Sequence, residues 1–435
     1  MSAGAPPIPF RSAVRAWVRI ALQSFGGPAG QIAVIHRVVV EEKEWLSESR
    51  FLNALSYCLL LPGPEAQQLV TYVGWLLHGV RGGLVAGLLF ILPGFVCILG
   101  LSLLYAGYRD AGPVPALFFG LKPAVVAIVL EATGRFHRRA SSGRAGAALS
   151  LSAFVAVFAL GIPFPAVILG AALAGLVLGR VSPDRAPAAA EGSAGPSRPG
   201  VRPLIRTAGI WLPVWLGPPA ILLAVLGADH VLVEEAVFFS KMAVVTFGGA
   251  YAVLAYVAQQ AVAVHGWLAP GEMMDGLGLA ETTPGPLIMV VQFVGFLGAF
   301  REAGPLPPLL SGVFGSVVTT WVTFAPCFLF IFAGAPYVEY LRDHRAVQSA
   351  LRGVMAAVVG VVLNLAVWFA VHTLFTDVAA RRVGPFQVPL PVLNSLEWRA
   401  GLIAALALLA LLRWRAGMLT VLLGAALAGL LLSPA

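Results

Sequence analysis

Long uninterrupted apolar runs dominate this chain, and they decide what it can fold into. In the first half they occupy 83–108, 114–134, 145–161 and 163–179. In the second half they occupy 206–226, 309–333, 350–375, 399–413 and 417–433. Most reach the ~20 residues needed to cross a hydrocarbon core as a helix. Of the 435 residues, 59% are hydrophobic and 11% charged, against roughly 45–50% and 25% in soluble domains. A water-soluble globule could not hide that much apolar surface, so the lipid bilayer is the solvent. The runs are continuous rather than alternating with period two, which excludes a transmembrane barrel. The chain reads as an all-α polytopic membrane protein.

Four further segments are apolar but interrupted: 11–40 at Phe25-Gly26-Gly27, 48–79 at Pro62-Gly63-Pro64, 231–265 at Phe247-Gly248-Gly249, and 272–300 at Pro284-Gly285-Pro286. Each predicts a helix, a non-helical turn and a second helix, as a re-entrant hairpin or a discontinuous pair. Between them, 181–204 is rich in Pro, Ala, Gly and Arg and cannot bury a core. It reads as a flexible cytoplasmic linker. The expected organisation is therefore a first membrane repeat over 1–180, the linker, and a second repeat over 205–435.

The charge balance sets the direction. The net charge is +8, from 28 Lys+Arg against 20 Asp+Glu. Arg135, Arg138, Arg139 and Arg144 form one positive loop, and Arg180, Arg185, Arg198, Arg202 and Arg206 a second. Both are expected on the cytoplasmic side, so the excess reflects topology and no nucleic-acid partner. One span beyond the linker, 228–235 carries Asp229, Glu234 and Glu235 but no Lys or Arg. That stretch is expected outside, while Arg301, Arg381 and Arg382 run against the count. Cys58, Cys97 and Cys327 have no CxxC or metal-ligand spacing and read as packing residues. The start, MSAGAPPIPF, carries no cleaved-signal pattern.

The two halves repeat. Phe247-Gly248-Gly249 lies 222 residues beyond Phe25-Gly26-Gly27 (247 − 25), and Trp267-Leu268 and Pro284-Gly285-Pro286 follow Trp45-Leu46 and Pro62-Gly63-Pro64 at the same offset. Ser24 then pairs with Thr246, Arg19 with Lys241 and Asn53 with Asp275; further on, Lys122 lines up with Arg352. The topology count puts the first set of motifs on the cytoplasmic side and the second on the other. Two antiparallel, inverted-topology repeats are expected, the arrangement secondary transporters use to alternate access.

The run SFGGPAGQIAVIHRVVVEEKEWLSESRFLNALSYCLLLPGPEAQQLVTYVG resembles the chromate ion transporter (CHR) family. TFGGAYAVLAYVAQQ and GWLAPGEMMDGLGLAETTPGP resemble that family's second domain, so the chain resembles its long, two-domain members. The resemblance implies chromate export from the bacterial cytoplasm across the inner membrane, giving chromate resistance. Spacing and composition alone show a duplicated membrane carrier. A sulfate or molybdate-type oxyanion permease is the alternative, because chromate and sulfate share charge and shape; sulfate is an expected competitor. A homodimer is compatible with the sequence.

A tetrahedral dianion needs donors and positive potential, and helix N-termini supply both. Gly26, Gly27, Gly248 and Gly249 let backbone approach an ion closely beside Phe25 and Phe247. Pro62, Gly63, Pro64 and Pro284, Gly285, Pro286 precede helix starts, where proline's missing N–H is not needed. Ser24, Thr246, Thr282 and Thr283 add hydroxyls beside the same breaks. Tight turns and close helix packing would use small residues in the same way; the matched pairing of four breaks favours a site. Lys122, Lys241 and Arg352 are the cations expected to balance the anion. Lys122 sits nine residues beyond Pro113, roughly 13 Å along its helix. Glu281 and Glu65 flank the proline breaks and are the candidates for proton coupling. The membrane potential alone would drive a dianion outward, at about 2.3 kcal/mol per charge per 100 mV. An intramembrane lipid-phosphate enzyme is a remoter alternative, since neither a nucleophile–base pair nor a metal-ligand cluster stands out. The absence of a Walker loop argues against primary pumping, and no cofactor is expected.

Overall fold

The computed structural model describes residues 8–109, 111–140, 143–181, 200–247, 250–337, 345–383 and 386–433. Most of the expected linker, and Gly248 and Gly249 of the second glycine break, lie outside the described residues. All nine apolar runs fall on helices. Five are long and apolar enough to cross a membrane: Glu65–Tyr108, Val114–Arg135, Val201–Leu226, Pro308–Gly334 and Arg345–Leu374. The protein is a multi-pass, α-helical membrane protein. Arg144–Phe158, Trp398–Leu412 and Met418–Leu432 hold 15 residues each, about 22 Å at helical rise. That is short of the ~30 Å hydrocarbon core.

The interrupted segments break where glycine and proline require it. Phe10–Gln23 stops at Ser24, and a new helix starts at Gly27 after Gly26, which holds φ 82°. Only glycine takes that conformation without strain. Val231–Val245 stops in the same way at Thr246, and a helix resumes at Ala250. Both resumed helices relax into a wide π turn, Arg37–Glu42 and Gln260–Val264. The helix Glu65–Tyr108 is itself broken at His78–Gly79, where Gly79 has φ 62°. A short antiparallel hairpin, Val378–Val383 with Phe386–Pro391, interrupts the helical pattern late in the chain.

The described chain forms two compact units. The first gathers Met1–Leu103, Ala190–Ala250 and Thr283–Asp343; the second gathers Leu104–Ala189, Tyr251–Thr282 and His344–Ala435. Each unit draws on both halves of the sequence, so compactness does not follow the order 1–180 then 205–435.

In the first unit, Pro308–Gly334 packs against Val290–Arg301, Val201–Leu226 and Val231–Val245. Trp17, Phe51, Tyr57, Phe90, Phe239, Phe293 and Phe296 fill its interior. In the second unit the packing is crossed: Val114–Ala140 of the first half lies on Trp398–Leu412 and Met418–Leu432 of the second. Arg345–Leu374 of the second half lies on Arg144–Phe158 and Phe164–Val181 of the first. Small residues four apart make these crossings close. A Cβ at Gly120 would strike the Ala425 carbonyl, and one at Gly429 would strike that of Ala116. Gly353 and Gly175 meet in the same way beside Ser349 and Ala171. Without a hydrophobic drive between helices in lipid, such backbone approach supplies the association.

Candidate functional site

The four breaks divide into matched halves of one construction. Ser24 ends its helix at φ −83°, ψ 73° and Thr246 ends its own at φ −77°, ψ 83°. The Ser24 hydroxyl donates to the Ile20 carbonyl at 2.6 Å, and the Thr246 hydroxyl to the Met242 carbonyl at 2.7 Å. The Phe25 and Phe247 N–H groups donate to the Gln23 and Val245 carbonyls, both at 3.0 Å. Gly63 and Gly285 hold φ 126° and 105°. Each of these pairs is 222 residues apart, so the repeat legible in the letters is repeated in backbone conformation.

The pairing between the breaks is crossed. The Gly63 N–H donates to the Thr246 carbonyl at 2.7 Å, and the Gly285 N–H donates to the Ser24 carbonyl at 3.0 Å. The proline break of each half thus locks onto the glycine break of the other, within the first unit. Ser24 and Thr246 are buried, so these backbone bonds are sheltered from competing water. Glutamine side chains brace the two turns. Gln68 Nε2 donates to the Pro62 carbonyl and Gln31 Nε2 to the Gly285 carbonyl, both at 2.7 Å. Gln292 Nε2 donates to the Phe95 carbonyl at 3.0 Å. Gly94 packs so close to the second proline turn that a Cβ there would lie 2.9 Å from the Pro284 carbonyl. Pro64 leads into the helix starting at Glu65, and Pro286 into a short 3₁₀ turn, Leu287–Met289, before Val290–Arg301. Helix starts, whose first N–H groups have no partner within their own helix, therefore sit beside both crossed bonds.

The acids break the symmetry. Glu65 opens its helix where the second half has Leu287 (65 + 222), and Glu281 stands where the first half has Leu59. Glu65 suits a helix start through the dipole alone. Glu281 lies in the second unit, where the Tyr251 hydroxyl donates to its Oε1 at 2.5 Å while buried Oε2 has no hydrogen-bond partner. Thr282 Oγ1 donates to the Leu279 carbonyl at 2.8 Å, and Thr283 is buried.

The cations are dispersed. Lys241 lies exposed on the first unit, and Arg19, its counterpart, pairs with Glu42 at 2.6 Å. Arg352 is exposed on the second unit. Lys122, also in the second unit, stands 3.5 Å from Asp275 Oδ1. Tyr105 donates to Asp275 Oδ2 at 2.8 Å, and Arg109 pairs with Glu272. So the structure brings Ser24, Pro62, Gly63, Pro64, Thr246, Thr283, Pro284 and Gly285 together in one unit. Lys122, Arg352, Thr282 and Glu281 belong to the other. Sequence reasoning does not find Gln31, Tyr105, Arg109 or Glu272. Nothing local marks them, because the bonds Gln31–Gly285, Tyr105–Asp275 and Arg109–Glu272 join residues 163 or more apart along the chain.

A family model described as Chromate transporter matches residues 12–176 and 233–430 of the chain. A chromate transport protein of Pseudomonas aeruginosa is 29% identical over 99% of this chain and 94% of its own length. One of Cupriavidus metallidurans is 25% identical over 84% of each chain. A probable chromate transport protein of Synechococcus elongatus is 25% identical over 83% of this chain and 85% of its own. No solved structure matches.

Proposed function

This chain belongs to the chromate transporter family, and from that premise we propose that it exports chromate from the bacterial cytoplasm as a secondary carrier of the inner membrane. Its two halves run in opposite directions through the bilayer, and the anion binds at the helix starts beside the glycine and proline breaks. One observation carries this reading above the rest: the crossed pair of bonds, Gly63 to Thr246 and Gly285 to Ser24. A turn held by one half against the other is an element that two opposed repeats can exchange between faces. The N–H groups of the helix starts provide donors, and at Gly26 the absence of a side chain, with nothing within 4 Å of its Cβ position, leaves the backbone open to approach. Lys241 supplies positive potential on the first unit, and Lys122 and Arg352 supply it along the anion path in the second. The membrane potential drives export; each dianion leaving a negative interior gains about 4.6 kcal/mol per 100 mV, twice the single-charge value.

Inside-out vesicles test this reading. The full-length protein is expected to accumulate chromate when the vesicle interior is made positive, with sulfate competing. Lys241→Ala and Arg352→Ala are each expected to reduce uptake about ten- to hundredfold, the range for losing a charge-assisted hydrogen bond of ~1.5–3 kcal/mol. Absence of uptake by the parent protein would refute chromate export. Sulfate uptake with chromate excluded would favour the sulfate-type permease instead.

A further inference from the structure

We propose that Lys122 and Asp275 form a proton-operated anion latch, in which the incoming oxyanion takes Asp275's place on Lys122 and the released carboxylate binds one proton. The proposal rests on the chromate reading and adds a proton that leaves with the anion, so each cycle moves one net negative charge and gains about 2.3 kcal/mol per 100 mV rather than the value for the dianion alone.

The geometry of the second unit separates two carboxylates on the helix Pro270–Thr282. Glu272 is gripped at both oxygens: Arg109 pairs with Oε1, and the Ala269 N–H donates to Oε2 at 2.8 Å. Asp275 is held firmly at one oxygen only, by Tyr105 at 2.8 Å. Its Oδ1 is buried, has no hydrogen-bond partner, and meets Lys122 Nζ at 3.5 Å. That is beyond the 2.7–3.2 Å typical of an N–H···O bond. The two partners also differ in access, since the Asp275 side chain is 5% exposed and that of Lys122 is 30% exposed. The lysine head rests against bare backbone, because a Cβ at Gly271 would lie 3.0 Å from Nζ. A flexible, accessible ammonium therefore faces a fixed, buried carboxylate. An arriving dianion can reach the former and not the latter.

Burial then dictates the fate of the released carboxylate. Stripped of its cation in a buried site, it sheds its charge by taking a proton from the medium, because an isolated buried ion is costlier than a neutral acid. Tyr105 keeps Asp275 in place. The groups around Asp275 can be named. Glu272 lies on its own helix and is paired, and Tyr105 and Arg109 come from the helix ending at Tyr108 and the residue after it. Lys122 comes from Val114–Ala140. From Arg345–Leu374, Thr373 reaches Met274 and the neighbouring His372 ring bonds the Trp368 carbonyl. Met418–Leu432 carries no titratable residue. Among these the Asp275 carboxyl is the one whose counter-charge the anion removes. The complex then holds a proton that the empty carrier lacks, so anion affinity falls as pH rises, about tenfold per unit while the latch is ionised.

The test uses purified full-length protein in weak buffer with a pH-indicator dye, at alkaline pH where chromate is the dianion. Sulfate serves as a second, non-titrating probe. The parent is expected to take up about one proton per anion bound. Asp275→Asn is expected to bind chromate with no proton uptake and with an affinity flat against pH. Should that variant not fold, the double variant Lys122→Gln/Asp275→Asn leaves no orphan charge and is expected to take up no protons and bind the anion more weakly. Glu281→Gln is expected to keep the uptake. Chromate binding by the parent without proton uptake overturns the latch and leaves the chromate reading intact. Uptake lost in Glu281→Gln but kept in Asp275→Asn overturns it in favour of the other acid. Failure of the parent to bind either anion refutes the chromate reading and the latch together.

Discussion

Gly63→Val and Gly285→Val are each expected to abolish chromate uptake in vesicles, while Gly100→Ala is expected to leave it unchanged. The reason is in the two turns. Both glycines hold φ in the region that side chains rarely adopt, 126° and 105°, and a residue forced there carries strain of ~1–3 kcal/mol. Space is lacking as well. A Cβ at Gly63 would sit 2.7 Å from Gln68 Nε2 and 2.9 Å from Cys327 Sγ; one at Gly285 would sit 3.0 Å from the Gly94 Cα. Gln68 can shift only by giving up its bond to the Pro62 carbonyl, and the Gly94 backbone cannot shift alone. Relief by moving the turn breaks the N–H bond to Thr246 or Ser24, and a buried unpaired group costs about 1–3 kcal/mol. The two terms together exceed the ~1.4 kcal/mol of a tenfold change. Gly100 has nothing within 4 Å of its Cβ position and lies inside a helix, so alanine there fits. Uptake normalised to membrane-inserted protein checks the series. Parent-like transport by Gly63→Val would mean that the crossed turns are not part of the working site.

The second large effect is on assembly. Gly120→Leu and Gly353→Leu are expected to remove most of the monodisperse protein from a size-exclusion run in detergent, while Gly170→Leu leaves it intact. At Gly120 and Gly353 the obstacle is backbone on the facing helix, at Ala425 and Ala171. No rotamer change relieves a clash with backbone, so the helices must separate and forfeit the packing that holds them in lipid. Overpacking typically costs about 1–3 kcal/mol where side chains can adjust; here they cannot. Gly170 lies on Phe164–Val181 with nothing within 4 Å of its Cβ position. Equal thermal stability of Gly353→Leu and Gly170→Leu would contradict the crossing described for Arg345–Leu374.

The residues that speak through their own backbone are legible in the sequence. The nine apolar runs are helices because lipid leaves few other ways to satisfy backbone groups. Phe25-Gly26-Gly27 and Pro62-Gly63-Pro64 break helices because glycine takes positive φ and proline ends a hydrogen-bonding series. The repeat is legible because three rare motifs share one offset. What the letters do not carry is which break meets which: that Gly63 reaches Thr246, and not Ser24 of its own half, is a tertiary fact. The same holds for Lys122. An intramembrane lysine reads as a functional cation, yet its Asp275 partner lies 153 residues on (275 − 122) and reads in sequence only as the counterpart of Asn53. The crossing glycines look in sequence like any small residue in an apolar run. Ser24 and Thr246 read as donors to an ion, and in the structure their hydroxyls bond the carbonyls of Ile20 and Met242.

Opposed orientation of the two halves underlies the proposed transport cycle, and sidedness of labelling measures it directly. Arg11 and Asp229 are exposed residues at the starts of the matched helices Phe10–Gln23 and Val231–Val245. In a chain with Cys58, Cys97 and Cys327 replaced, single cysteines Arg11→Cys and Asp229→Cys are treated with a membrane-impermeant maleimide, first on intact cells and then on inside-out vesicles. Asp229→Cys labels in cells and Arg11→Cys labels in inverted vesicles if the halves are antiparallel. Labelling of both positions from the same face would show parallel halves and contradict alternating access by opposed repeats.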